Sequence, residues 1–249
     1  MIRRQGRSRG RAGGAPFSPL TYGPDIFLHG SKGVTTDGFG VVAWADQSPN
    51  ALDAAQSVDN RKPSYSTSNA GFKGKGTIDG DSSDGAADFL STATATSLVE
   101  ASGGCTQYIV FSCSPFTGVR YIATKWSTEN VWILRILSTG EVQVLARNAA
   151  DTAWQVASSG VIVKDDVPRL MVWGWDPAGT LHCHVSGGVD VARAAPTMNT
   201  GLIPVHVYGH NGNAMPGSSA LFAHYPEWHS PVQRARMEAW ILSEFGVSL

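Results

Sequence analysis

Four aspartates fall within the ten residues Asp79-Gly80-Asp81-Ser82-Ser83-Asp84-Gly85-Ala86-Ala87-Asp88. Calcium takes roughly six to eight oxygen ligands, and one loop carrying Asp79, Asp81, Asp84 and Asp88 offers it several carboxylates. The spacing is not that of an EF-hand: the third aspartate comes one position late, and Leu90 stands where the closing glutamate belongs. The same residues also read as a solvated turn ahead of a strand at Phe89-Leu90. Calcium is the one cofactor this segment is expected to suit. A second candidate is His182-Cys183-His184. On a strand both imidazoles would share one face, with the thiol on the other. Joined by His206 or His210 they would make part of a zinc or copper set, but a closed site needs more ligands, and ordinary surface histidines give the same pattern.

Tryptophan supplies a different chemistry. Of eight in the chain, Trp126, Trp132 and Trp154 are the candidates to stack against pyranose rings from loops or a sheet face. Trp173 and Trp175 share one strand face by alternation, as core residues do. No serine or cysteine lies in a nucleophile-elbow frame. The glycine-rich segments lack the Lys-Ser/Thr that closes a phosphate loop.

Charge is divided along the chain. Residues 1–24 hold Arg3, Arg4, Arg7, Arg9 and Arg11 and no acid, leaving 14 basic against 20 acidic residues in the rest. Arginines spaced by glycine and serine could meet phosphates, meet carboxylates on a neighbouring protein, or simply solubilise. Anchoring to a protein ranks above nucleic acid. The segment is expected to be an extended arm that orders on binding. It does not read as a secretory leader, because Gly13-Gly14-Ala15-Pro16 follows the arginines where an apolar run would stand. No window approaches the roughly eighteen apolar residues of a membrane helix.

The elements that must position these residues are mostly strands. A chain of 249 residues, 42% hydrophobic and 16% charged with 28 glycines, suits one large turn-rich sandwich with no need of disulfides. Cys105, Cys113 and Cys183 are read as buried thiols, with a Cys105–Cys113 bridge left open. Apolar runs at Ile26-Phe27-Leu28 and Val41 to Trp44 precede a long loop, residues 48–89, holding short strand pieces. Strand signals then recur at 107–112, 121–125, 131–137, 141–146, 154–157, 161–163, 169–175, 181–185, 204–209 and 220–225. Residues 107–112 are apolar almost throughout, as in a strand covered on both faces. A helix over 231–245 closes the chain: Ser230 caps it, Pro231 takes the first position, and Gln233 completes a capping box. Met237, Ile241 and Phe245 form its buried stripe, and Gly246 stops it.

The order Val42-Ala43-Trp44-Ala45-Asp46-Gln47-Ser48-Pro49-Asn50, then Asp53-Ala54-Ala55-Gln56, Arg61-Lys62-Pro63-Ser64-Tyr65 and Gly74 to Gly80, resembles the opening of concanavalin-A-like, laminin-G-type jelly-roll domains. Tyr225, Ser230, Arg234, Glu238 and Phe245-Gly246-Val247 are similar to that family's close. Pro49 and His29-Gly30 depart from its usual residues. The resemblance covers about residues 25–249 and implies an all-β antiparallel sandwich, with residues 1–24 as a basic arm. It places Trp44 and Trp240 in the core. Glucanases of this fold carry a Glu-x-Asp-x-x-Glu strand, and none of Glu100, Glu129, Glu141, Glu227, Glu238 or Glu244 sits in one.

With an arm and no catalytic frame, the chain looks like a non-enzymatic virion structural protein of a tailed bacteriophage: a capsid decoration, head-fibre or tail-associated protein. The resemblance implies attachment to a viral shell or tail protein through the arm, homo-oligomers, a place on the virion surface after synthesis in the host cytoplasm, and contact with host glycans. The first alternative is a free-standing lectin-like module, calcium-dependent or not; the second is a polysaccharide-degrading enzyme.

Overall fold

A computed structural model describes residues 16–81, 86–93, 104–126, 130–147, 153–195, 204–209 and 213–249, with Trp126 and Asn130 described in backbone alone. Two antiparallel sheets face each other. Sheet I contains β1 (Ile26–His29), β5 (Ser64–Asn69), β6 (Lys75–Gly80), β8 (Cys105–Phe111), β13 (Arg169–Trp175), β14 (Thr180–Val185), β15 (Val191–Ala194) and β17 (Gly217–Tyr225). Its order is β15-β14-β13-β8-β17-β6-β5, with β1 also paired to β17. Sheet II contains β2 (Val34–Asp37), β3 (Gly40–Trp44), β4 (Ala54–Ala55), β7 (Leu90–Thr92), β9 (Arg120–Trp126), β10 (Asn130–Ile136), β11 (Glu141–Arg147), β12 (Trp154–Ile162) and β16 (His206–Val207). It runs β12-β11-β10-β9-β16-β7-β4-β3-β2. The chain is thus the all-β sandwich that its strand spacing implied.

The interior is built by alternation. Trp132, Leu134 and Ile136 of β10 and Val142, Val144 and Ala146 of β11 point inward and meet Ile109, Phe111, Met171 and Trp173 of sheet I. The Trp132 and Trp173 rings lie 5.3 Å apart. Every residue of β8 is buried, because sheet II covers one face of this strand and α1 (Pro231–Phe245) covers the other. On that second face Met237, Ile241 and Phe245 pack over Tyr108, Val110, Leu170, Val172 and Tyr225. Each of the three helix side chains is fully buried, which stabilises the docked helix by roughly 1.5–3 kcal/mol per side chain. The helix begins and ends as its residues dictate. Ser230 accepts from the Gln233 amide, the Gln233 side chain reaches back to the Ser230 amide, and Gly246 closes the end at φ 78°.

The motif around Asp46 is a loop staple. Asp46 Oδ1 accepts from the amides of Phe27 and Ser48, both at 2.8 Å, and Oδ2 accepts from the Leu52 amide at 2.8 Å and from the Ser48 hydroxyl. Asp53 in turn accepts from the Asp46 amide, and the Asn50 side chain donates to Asp25. Trp44 is fully buried and its indole donates to the His29 carbonyl at 3.0 Å. Further along, Tyr65 donates to the Gly30 carbonyl. Lys62, buried, meets Asp37 and Asp59 at 2.6 Å each.

Three details differ from the sequence expectations. The short strand pieces expected within residues 48–89 are β4, β5 and β6, of which β5 and β6 are longer and more ordered than expected and are paired as a hairpin. Their serines, threonines and glycines carry little apolar signal, so β-propensity fails where backbone pairing succeeds. The separate strands expected at 154–157 and 161–163 are one strand, β12, with a register shift against β11. Of the arm expected at 1–24, the described part, residues 16–24, is folded onto the body. Pro19–Tyr22 form a 3₁₀ turn, Pro19 is buried, and Phe17 and Tyr22 pack beside the helix-covered core. Arg3, Arg4, Arg7, Arg9 and Arg11 lie outside the described residues.

Candidate binding face

The side of sheet II turned away from the interior carries the best-formed array of binding-type side chains. Residues directly opposite on neighbouring strands share a face, so the register lays this surface out in rows. One row is apolar: Val156 of β12, Leu145 of β11 and Ile133 of β10, leading to Thr124 of β9 and His206 of β16. A second row is polar: Ser158, Gln143, Arg135 and Tyr121. A third holds Trp154 opposite Arg147. Ile133 and Leu145 are each 5% exposed although the residues beside them on their strands belong to the interior. They are covered, and Val156 is the half-buried apolar member of the row. Trp154 is half-buried, and the Arg147 guanidinium sits 5.1 Å from its ring centre.

The polar row is wired across three strands. Arg135 donates from Nε (3.0 Å) and Nη2 (2.8 Å) to the Gln143 side-chain oxygen, and the Gln143 Nε2 donates to the Ser158 hydroxyl at 2.7 Å. Each member is held by its neighbour, so the guanidinium is positioned before any ligand arrives. An apolar strip beside fixed planar hydrogen-bonding groups suits a ring with a hydrocarbon face and a polar rim.

The expected sugar-stacking residues separate. Trp154 belongs to this face. Trp132 does not: it is 0% exposed between the sheets, against Trp173, and presents no surface to a ligand. Its position in β10 is one residue out of phase with the outer row, and only the register reveals that. Trp126 ends β9, and its side chain lies outside the described residues.

Of the expected calcium loop, Asp84 lies outside the described residues. Asp88 accepts from the Asp81 amide at 3.0 Å while its own amide donates to the Asp81 carbonyl, so the two clasp the loop's ends. Asp79 is on β6 and accepts from the Thr77 hydroxyl. No group of three or more His, Cys, Asp or Glu among the described residues is arranged to hold a metal. The three cysteines are buried thiols with no disulfide among them. Burial pushes Cys113 and Cys183 up to about 12.

His182 and His184 lie on the outer face of β14 and Cys183 on the inner, as alternation requires, but they do not act as a pair. His184 Nε2 is 3.2 Å from the Gly188 carbonyl. His182 is gripped between carboxylates, Nε2 at 3.2 Å from Asp176 and Nδ1 at 3.2 Å from Asp190. With an acceptor at each nitrogen the ring is best satisfied as imidazolium. Asp190 first, then Asp176, raises its pKa against the opposing effect of burial. The ring stacks on Trp228 at 4.5 Å, and Arg234 of α1 lies 5.0 Å from the same indole and 3.8 Å from Asp190. Sequence spacing could not find this cluster, because its members come from two turns, a strand, a loop and the helix.

A cavity of about 330 Å³ lies between Phe17 and the outer side of α1, bounded by Arg236, Ala239, Trp240 and Ser243. It sits where residue 16 meets the body.

No protein-family model matches the sequence, and no curated protein matches it. Solved structures do match in fold. The binding domain of Paraclostridial Mosquitocidal Protein 1 aligns over 90% of this chain and 53% of its own, with a TM-score of 0.62 and 11% identity. The binding domain of botulinum neurotoxin DC, solved in complex with rat synaptotagmin II, aligns over 90% and 52%, with a TM-score of 0.61 and 9% identity. The same toxin's binding domain in complex with SialylT aligns over 89% and 51%, with a TM-score of 0.52 and 8% identity. The chain spans about half the length of these structures. At such identities the likeness establishes the β-sandwich fold alone.

Proposed function

We propose that the protein is a non-enzymatic carbohydrate-binding module whose ligand lies on the outer face of sheet II. The observation that carries this is the preset row Arg135–Gln143–Ser158 beside the half-buried Val156 and Trp154. Solved domains with this sandwich, described as binding domains in complexes with synaptotagmin II and with SialylT, support a recognition role. A glycan array probed with the full chain tests it. Retention of a defined glycan class that falls at least roughly tenfold in Trp154→Ala, with the melting temperature kept, is the expected result. Absence of retention across the array would remove the proposal.

A finer reading concerns where the module works. The five arginines of residues 1–24, set against a net-acidic remainder, favour attachment to an acidic protein surface. With the jelly-roll resemblance this supports a structural protein of a tailed phage, arm-anchored to shell or tail, oligomeric and facing host glycans. Calcium at Asp79, Asp81, Asp84 and Asp88 stays within this proposal as a ligand of the module. Mass spectrometry of purified particles tests the location. Many copies per particle, lost when residues 1–15 are deleted, is the expected outcome, and a chain found wholly in the soluble fraction refutes it.

A further inference from the structure

We infer that Arg135 is an anion receptor, and that the sugar bound on the outer face of sheet II carries a carboxylate or a sulfate ester. The inference rests on the carbohydrate-binding reading and narrows its ligand class. Several cations of the body meet carboxylates, while half-buried Arg120 and Lys164 bond neutral oxygens of Val119, Asn213 and Ser138. Lys62 pairs with Asp37 and Asp59, Lys75 with Glu244, Arg169 with Asp165 and Arg234 with Asp190. Arg135 is half-buried too, yet its partner is the neutral side-chain oxygen of Gln143. A neutral carbonyl orients a guanidinium without cancelling its charge.

The geometry leaves a usable edge. Nε and Nη2 are turned to Gln143, so the Nη1 side of the fork, with the second N–H of Nη2, faces away from that bond. Among the described residues nothing accepts from it. A planar pair of N–H donors is the arrangement that takes a carboxylate or sulfate in two parallel bonds. Gln143 is fixed by Ser158, so little side-chain freedom remains to be lost on binding. Glu141, the acid that shares this face of β11, is one row away and accepts from the Gly160 amide at 3.1 Å. The half-buried Val156 of the neighbouring row, with Trp154 beyond it, would lie under the ring bearing the anionic group. That adjacency favours an acidic sugar over a small inorganic anion.

The test compares matched polymers that differ in charge: polygalacturonate with its methyl ester, and dextran sulfate with dextran. Affinity electrophoresis of the full chain gives the retention, with Arg135→Gln and Arg135→Lys alongside. Their thermal melts serve as the control for folding. The expected result is preference for an acidic polymer by roughly tenfold or more. Arg135→Gln should abolish that preference, and Arg135→Lys, which keeps the charge but not the fork, should restore it in part. The two polymer pairs tell carboxylate from sulfate. Acidic-polymer retention that survives Arg135→Gln belongs to other cations, such as the N-terminal arginines, and overturns the inference. Equal binding of neutral and acidic forms overturns it while leaving the carbohydrate reading standing. Loss of binding to every polymer and to the glycan array removes both.

Discussion

Asp46 shows how one carboxylate can fix a whole loop. It accepts four donors, three of them backbone amides from Phe27, Ser48 and Leu52, and it is 8% exposed. Replacing it with alanine leaves those amides buried without partners, at a cost of about 1–3 kcal/mol for each group left unsatisfied. Asp46→Ala is expected to lose roughly 3–5 kcal/mol in urea unfolding, and Asp46→Asn less. A loss below about 1 kcal/mol would show that water replaces the staple. Trp132 makes the complementary case in the core. Trp132→Ala should cost roughly 3–5 kcal/mol through the cavity it opens against Trp173. Glycan retention by whatever remains folded should persist, because the ring never reaches the binding face.

Helix α1 is held at its start by charge as well as by apolar packing. Its first turns meet Trp228, on which His182 stacks, and Arg234 approaches Asp190. His182 has a raised pKa, so its contribution is fully present below the unfolded value of about 6.5 and is lost as pH rises through the folded value. Asp190, lowered first by its bond to His182, contributes above the ordinary carboxylate range and loses that contribution as pH falls through its depressed value. The clasp is therefore strongest in mild acid. Hydrogen exchange in residues 226–236, corrected for intrinsic rates, should show greater protection at pH 6 than at pH 8.5, and His182→Asn should flatten the difference. An unchanged pH dependence in that variant would assign it elsewhere. Ser230→Ala, removing one half of the capping box, should cost about 1 kcal/mol.

The molecule as a whole should be sensitive to acid through three other histidines. Burial lowers His224 to about 3, and lowers His29 and His229 to about 4. His29 lies against Trp240 and Phe245 with Glu244 at 3.2 Å; His229 lies among Tyr22, Tyr108 and Tyr225; His224 bonds Gln107 inside the sandwich. Their folded pKa values are depressed, so the stability they contribute is intact above about pH 6.5 and is lost as pH falls toward the folded values. The urea midpoint should hold between pH 7 and 8 and fall steeply between pH 6.5 and 4.5, before most carboxylates titrate. His224→Gln should soften that fall. A midpoint that stays level down to pH 4.5 would contradict the burial of neutral imidazoles.

The sequence alone determined the local and periodic features. A continuous apolar run marked β8, strand patterning marked β10, β11, β13 and β14, and Ser230, Gln233 and Gly246 marked both ends of α1, because strand faces and helix caps depend on near neighbours in the chain. The resemblance around Trp44 and Asp46 supplied the sandwich. What only the tertiary structure decided was which side chains meet across strands and layers. The pairing of β5 with β6 was not legible because their side chains carry weak apolar signal, although their backbones pair with one register shift. Trp132 and Trp154 look alike in sequence, yet register buries one between the sheets and leaves the other on the outer face. Arg135 becomes informative only when pairing sets Gln143 and Ser158 beside it, and His182 only when two turns and a helix close around it. Such contacts join residues far apart in the chain, and a one-residue change in register would turn every one of them to the opposite face.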